Sequence, residues 1–122
     1  MNPKRILIVE DTEDNRQIMR DLLMNAGFAV VEAYDGETAV AAAAEFMPDL
    51  ILMDIQLPVL NGYEAIRRFK ADARLQCIPI IAVTSYALSG DRDAARAVGC
   101  DGYVAKPFSP RQLLATIKEL LK

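Results

Sequence analysis

Charged and hydroxyl side chains follow directly on four short apolar runs of the sequence. Glu10 and Asp11 follow "RILIV", Asp54 follows "LILM", Thr84 follows "PIIAV" and Lys106 follows "GYVA". Carboxylate oxygens suit a hard cation such as Mg²⁺, and ammonium and hydroxyl donors suit phosphate oxygens. This chemistry requires a fold that brings the five side chains into one place.

The apolar runs alternate with longer amphipathic segments. The runs predict strands over residues 5–10, 28–33, 50–54, 79–84 and 102–105. Apolar residues at helical spacing predict four helix faces between and after them: Ile18, Met19, Leu22, Leu23 and Ala26; Ala39, Val40, Ala43, Ala44 and Met47; Ala65, Ile66 and Phe69; and Leu113, Leu114, Ile117, Leu120 and Leu121. A short polar segment, 91–98, predicts one more helix, the fourth in chain order.

Chain-breaking and capping residues delimit these predicted helices. Gly27 should end the first helix and Pro48 the second, and Gly99 follows the short fourth one. Ser109 is placed to cap the fifth helix, with Pro110 at its first position.

Five strand–helix units in succession predict an α/β fold with a parallel sheet covered on both faces. We expect a single domain over residues 1–122, doubly wound and flavodoxin-like, with strand order 2-1-3-4-5. Ligands of such sheets bind beyond the carboxyl ends of the strands, where the strand order reverses. The five polar side chains should therefore share one crevice, to which the second strand, at the sheet edge, contributes no obvious residue.

Three carboxylates in one crevice repel each other. Two unit charges ~4 Å apart cost about 4 kcal/mol at an effective dielectric constant of 20. Lys106 offsets part of this repulsion, and a divalent ion with oxygen ligands would offset the rest. The cluster therefore predicts a Mg²⁺ site.

Composition excludes several other classes of function. The net charge of −3 argues against nucleic acid as a direct partner, since phosphate backbones select basic surfaces. The chain has no histidine, which rules out Ser-His and Cys-His nucleophiles. The spacing of Cys77 and Cys100 suits thiols of a reducing cytoplasm. No apolar run is long enough for a membrane span or a signal peptide.

Each polar residue also has a purely structural interpretation. Glu10 and Asp11 are suited to the start of a helix, and Asp54 to a turn. Thr84 can bond a nearby carbonyl, and a single lysine such as Lys106 is usually solvated. Their coincidence at four strand ends of one predicted sheet favours a functional site.

The same residues carry a family resemblance. The sequence resembles the receiver domain of two-component response regulators along essentially its whole length, and most closely the stand-alone, single-domain kind. The matching motifs are Glu10-Asp11, Asp54 in "LILMDIQLP", Asn61-Gly62, Thr84 in "AVTSYA" and "KPF" at 106–108.

The resemblance implies a phosphoryl acceptor and a metal site. Asp54 would take a phosphoryl group from the phosphohistidine of a histidine kinase or a histidine phosphotransfer protein. Asp11, Asp54 and the backbone carbonyl of Gln56 would ligate Mg²⁺, and Glu10 would act through water. The domain would catalyse its own phosphorylation and dephosphorylation.

The resemblance also implies a conformational switch. Lys106 and Thr84 would bind phosphate oxygens, Tyr103 would be the aromatic switch residue, and the Lys106–Pro107 peptide would be cis. Tyr86 and Gln56 occupy positions that tune the lifetime of the phosphoryl group. A downstream protein would bind the face formed by the predicted fourth helix, fifth strand and fifth helix, which carries Leu88, Arg92, Arg96, Tyr103, Phe108 and Arg111.

Three alternatives can be weighed from the sequence. A phosphatase of the haloacid dehalogenase type would need an acid two residues after its nucleophile, where this chain has Gln56. A nucleotide or flavin binder would need a glycine-rich loop after the first strand, whereas "VEDTEDN" is acidic. A receiver used only for binding is disfavoured because the acceptor residues are all present.

Overall fold

A five-stranded parallel sheet forms the centre of the molecule. The computed structural model describes residues 3–55, 62–84, 96–97, 99–106 and 109–121. The strands are ordered β2-β1-β3-β4-β5, which confirms the predicted fold class. Their bounds are β1 Arg5–Val9, β2 Ala29–Ala33, β3 Leu50–Asp54, β4 Ile80–Thr84 and β5 Gly102–Ala105. Three predicted strands were one residue too long, because Glu10, Phe28 and Pro79 lie just outside them.

The strand register brings the carboxyl ends of four strands to one edge. Val9 of β1 pairs with Met53 of β3, so the next residues along the two chains, Glu10 and Asp54, are neighbours. Thr84 of β4 pairs with Ala105 of β5, which places the residue after β5 beside the end of β4. Because β1 lies between β2 and β3, the crevice where the strand order reverses opens at this edge.

Helices cover both faces of the sheet. The described residues contain α1 Glu13–Asn25, α2 Gly36–Phe46, α3 Gly62–Ala71 and α4 Pro110–Leu120. Alternate residues of β1 divide between the two core layers: Ile6 and Ile8 pack with α1 and α4, and Leu7 and Val9 pack with α2 and α3. None of the helices in the described ranges is long and apolar enough to cross a membrane.

The predicted fourth helix falls mostly outside the described residues, so the predicted fifth helix is α4 here. Of the segment 91–98, only residues 96–97 are described, and they are helical. Gly99 follows with a φ of 108°, a backbone conformation that favours glycine.

The predicted helix ends agree with the structure. Gly27 takes a φ of 95°, and its N–H donates to the Met24 carbonyl at 3.0 Å while Phe28 N–H donates to Leu23. This pair of bonds is the Schellman pattern that a glycine after a helix allows. At the start of α4, Ser109 Oγ accepts from the Gln112 N–H at 3.3 Å, and Pro110 is the first helical residue.

Three residues predicted on buried helix faces are exposed. Ile18 is 61% exposed, since Met19 and Leu23 form the buried stripe of α1 and a residue one position earlier points toward solvent. Ala26 is the C-terminal cap of α1 and is also exposed. Met47 caps α2 with a left-handed φ of 46°, which turns it out of the helical stripe, and it is 47% exposed.

Candidate functional site

Three carboxylates meet at the carboxyl edge of the sheet. Glu10 follows β1, Asp11 comes next, and Asp54 is the last residue of β3. One oxygen from each side chain lies within 4.8 Å of the others. Glu10 and Asp54 are buried, at 1% and 4% exposure, whereas Asp11 is exposed to solvent. The structure therefore brings together the three acidic residues that the sequence placed in one crevice.

Lys106 bridges the two buried carboxylates. Its Nζ donates to Glu10 Oε1 at 2.6 Å and to Asp54 Oδ2 at 3.2 Å. The Lys106 backbone N–H donates to the Thr84 carbonyl at 2.6 Å, which fixes the residue at the end of β4. One ammonium thus stands among three carboxylates, and the cluster keeps an excess of negative charge when all are ionised.

The pKa values of Glu10 and Asp11 are shifted in opposite directions. Burial of Glu10 acts to raise its pKa, but hydrogen bonds with Asp11, with the Lys106 ammonium and with the Thr12 N–H lower that pKa to about 2. The hydrogen bond with Glu10 raises the pKa of Asp11 above its ordinary 3.8, and desolvation and the Glu10 charge act in the same direction. Ionisation of Asp11 is therefore disfavoured, whereas ionisation of Glu10 is favoured.

Lys106 stays charged in this environment. Burial acts to lower the pKa of its ammonium, but the hydrogen bond to Glu10 and the charges of Glu10 and Asp54 raise it overall. A permanently charged donor that reaches Asp54 is suited to an anionic group carried by that residue.

The remaining described site residues lie on β4 and β5. Thr84 is the last residue of β4 and is buried, at 2% exposure. Tyr103 lies on β5, paired with Ala82, and its partly buried ring packs against the core layer of α2 and α3. Other residues named from the sequence lie outside the described ranges: Gln56, Asn61, Tyr86, Leu88, Arg92, Pro107 and Phe108.

The donor set fits a hard divalent cation. Asp11, Asp54 and Glu10 offer only oxygen atoms, and these are close enough to face one ion. Asp11 is the accessible member, so an ion can approach from solvent. The hydrogen bond with Glu10 and desolvation raise the pKa of Asp11 most, and the Glu10 charge adds a repulsion that an ion would relieve.

A network of ion pairs beside the cluster was not predicted. Arg16 Nη1 of α1 donates to the backbone carbonyl of Glu10 at 2.7 Å, and Arg16 pairs with Glu13 and with Glu32 of β2. Arg20 donates to both oxygens of Glu32 at 2.9 and 2.8 Å. The edge strand β2 therefore contributes Glu32 to the surroundings of the site, although Glu32 is not one of the clustered carboxylates. The available signal was a glutamate in an otherwise apolar strand and two arginines four residues apart on α1.

Comparison with known proteins identifies the family. The model of the response regulator receiver domain matches residues 6–118 of the chain. The chain belongs to the response regulator receiver domain family. Receiver domains are the phospho-accepting signalling domains of two-component systems, and this chain has that function.

Individual relatives agree with this assignment. The polar-differentiation response regulator DivK of Brucella anthropi is 44% identical over 119 residues, which are 98% of this chain and 97% of the relative. DivK of Brucella ovis is 43% identical over 118 residues, covering 97% and 96% of the two chains.

Solved structures share both fold and sequence. The chemotaxis protein CheY4 of Vibrio cholerae superposes with a TM-score of 0.92 at 31% identity, over 98% of this chain and 99% of that one. The receiver domain of the sensor histidine kinase PA1611 of Pseudomonas aeruginosa gives a TM-score of 0.91 at 38% identity, over 98% of each chain. The latter structure holds a magnesium ion in its active-site cleft.

Proposed function

We propose that Asp54 is the phosphoryl acceptor of this receiver. A carboxylate oxygen of Asp54 forms a bond to phosphorus as the P–N bond of a phosphohistidine breaks, and the histidine nitrogen keeps the electron pair of that bond. The observation that carries this assignment is the Lys106 ammonium, which stands between the buried Asp54 and Glu10 carboxylates. This ammonium can donate to the Asp54 carboxylate before transfer and to a phosphate oxygen as negative charge develops there.

Asp11 and Asp54 would ligate Mg²⁺, together with the backbone carbonyl of Gln56, and Glu10 would act through a water molecule. The clustered oxygens support this assignment, as does the magnesium ion in the related PA1611 receiver domain. When bound, the ion supplies positive charge beside the transferring phosphoryl group. Glu10 holds Lys106 in place through their 2.6 Å hydrogen bond.

Thr84 and Tyr103 would couple phosphorylation to a change of surface. The Thr84 hydroxyl would donate to a phosphate oxygen while Lys106 donates to another. Movement of Thr84 would free space that the ring of Tyr103, on the neighbouring strand, can fill. The two positions of the Tyr103 ring would need to differ by only a few kcal/mol for phosphorylation to shift their populations.

Phospho-Asp54 would also lose its phosphoryl group within the domain. Water attacks phosphorus, the bond to the Asp54 oxygen breaks, and inorganic phosphate and the free carboxylate result. Tyr86 could shield the acyl phosphate from this water. The domain would thus set the duration of its own signal.

The phosphoryl donor would be a histidine kinase or a histidine phosphotransfer protein, and the output would be a protein partner. The predicted fourth helix, β5 and α4 would form the output surface. A cavity of about 530 Å³ on this side supports it; its lining includes Arg96, Tyr103, Thr116 and Glu119. We place this single domain, residues 1–122, in the cytoplasm, without direct contact with nucleic acid or membrane; the free thiols of Cys77 and Cys100 support that location.

The acceptor assignment is tested with acetyl phosphate and intact-mass spectrometry. The wild type should gain one phosphoryl group with Mg²⁺ and none in chelator, and Asp54→Asn should abolish the gain. Asp49→Asn is the matched control, because Asp49 precedes the same strand at its opposite end. Phosphate mapped to another residue of the wild type would overturn the assignment, and no phosphorylation at all would favour a receiver used only for binding.

A further inference from the structure

The backbone of Glu10 is held by hydrogen bonds at both its N–H and its carbonyl. The Glu10 N–H donates to the Ala33 carbonyl of β2 at 3.1 Å. The Glu10 carbonyl accepts from Arg16 Nη1 at 2.7 Å. Because this carbonyl belongs to the peptide that links the two acidic residues, its direction constrains the backbone from which both carboxylates extend.

Arg16 is itself tightly constrained. Its side chain is only 14% exposed and pairs with Glu13 of the same helix and with Glu32 of β2, the latter at 3.5 Å. The planar guanidinium carries five donors in a fixed geometry, so one side chain can bond a carbonyl and two carboxylates together. The two carboxylates also compensate its charge, so Arg16 adds little positive potential that would repel a cation.

We propose that Arg16 is a positioning residue for the acidic pair and that it raises the affinity of the site for Mg²⁺. It acts through the Glu10 carbonyl, which keeps the Glu10 and Asp11 carboxylates turned toward Asp54. The inference rests on the proposed metal site and extends it to a residue that contacts neither the metal nor the phosphoryl group. Residues that orient metal ligands commonly change metal affinity by roughly 10–100-fold when removed.

Arg20 provides a matched control within the same network. It pairs with Glu32 at 2.8 Å and with Glu13 at 3.8 Å, on the same helix as Arg16 and one turn later. Within the described residues, its contacts do not include Glu10. Replacing either arginine removes one positive charge and weakens the same ion pairs, but only the Arg16 replacement releases the Glu10 carbonyl.

The experiment measures Mg²⁺ affinity by titration calorimetry on the full chain, independently of phosphorylation. Arg16→Ala should weaken Mg²⁺ binding roughly tenfold, and Arg20→Ala should leave it within about twofold of wild type. Arg16→Lys should fall between, since an ammonium cannot bond the carbonyl and both carboxylates in the same geometry. In chelator, the melting temperatures of both alanine variants should fall by similar amounts. A difference in Mg²⁺ affinity between them would then reflect positioning and not stability.

Phosphorylation by acetyl phosphate gives a second readout. Arg16→Ala should react slowly at low Mg²⁺ and recover near the wild-type rate at saturating Mg²⁺, because the acceptor and Lys106 are untouched. If the Arg16→Ala and Arg20→Ala variants bind Mg²⁺ with equal affinity, the inference is overturned but the proposed metal site is not. If Arg16→Ala does not fold, the same comparison is made between Arg16→Lys and Arg20→Ala. A wild type that binds no Mg²⁺ overturns the metal site itself.

Discussion

Replacing Asp11 with asparagine should stabilise the protein when no divalent ion is present. The oxygens of Asp11, Glu10 and Asp54 lie within 4.8 Å of one another. Two unit charges at that distance repel by about 3.5 kcal/mol at an effective dielectric constant of 20. Asp11 is exposed, so solvent screening and the nearby Lys106 reduce the net effect to about 1 kcal/mol. A gain of this size would raise the melting temperature by roughly 3–5 °C.

The assay is thermal unfolding in chelator, followed by circular dichroism. Asp14→Asn is the matched control: it removes the same charge in the first turn of α1, where a carboxylate is favourable, and should not stabilise. With Mg²⁺ added, the order should reverse, because the wild type gains stability by binding the ion and Asp11→Asn gains less.

The gain should also depend on pH in a defined direction. The pKa of Asp11 is raised above 3.8 in the folded protein, so folding disfavours its ionised form. That penalty is absent well below pH 3.8, where both states are protonated, grows between pH 3.8 and the folded-state pKa, and is complete above the folded-state pKa. The stabilisation by Asp11→Asn should therefore be full at pH 7 and small at pH 3.5. An unchanged or lower melting temperature at pH 7 in chelator would refute the clustered geometry.

Three further outcomes are expected. Lys106→Ala should lower the free energy of unfolding at pH 7 by about 3 kcal/mol, measured by denaturant unfolding in the presence of chelator, because two buried carboxylates lose their shared partner. An effect below about 1 kcal/mol would contradict the bridging role. Iodoacetamide at pH 8 should alkylate the exposed Cys77 and spare Cys100, since burial raises the pKa of the Cys100 thiol to about 12; peptide mass mapping that finds equal labelling would contradict this. Beryllofluoride with Mg²⁺ should shift the NMR signals of Tyr103 and Thr84; unchanged signals would mean that the response leaves by another surface.

The fold was predictable because its strands are continuous apolar runs. Residues of β3 and β4 are buried on both faces, so these segments carry no polar alternation and stand out in the sequence. The buried faces of the helices were predicted less accurately. Ile18 and Met47 both match the helical spacing of apolar residues, yet both are exposed. The packing of α1 exposes Ile18, and the left-handed cap of α2 exposes Met47.

The convergence of the site followed from topology, whereas its contacts did not. Parallel strands in the order 2-1-3-4-5 place Asp54 and Lys106 at one edge whatever their side chains do. That Lys106 bonds Glu10 at 2.6 Å, closer than Asp54 at 3.2 Å, depends on side-chain rotamers. The Arg16 contact depends on the distance between α1 and the end of β1, which no local pattern encodes.

The stability and the chemistry of this site depend on the same excess of charge. A fully apolar end to β3 would remove the buried Asp54 and stabilise the sheet, but it would also remove the acceptor that we propose. A second lysine would reduce the excess negative charge and compete with the cation. With one ammonium among three carboxylates, the described cluster keeps an excess of negative charge that would attract a divalent ion, and Lys106 would be available to a phosphate. Substitutions that relieve the crowding should therefore raise metal-free stability and weaken ion binding together.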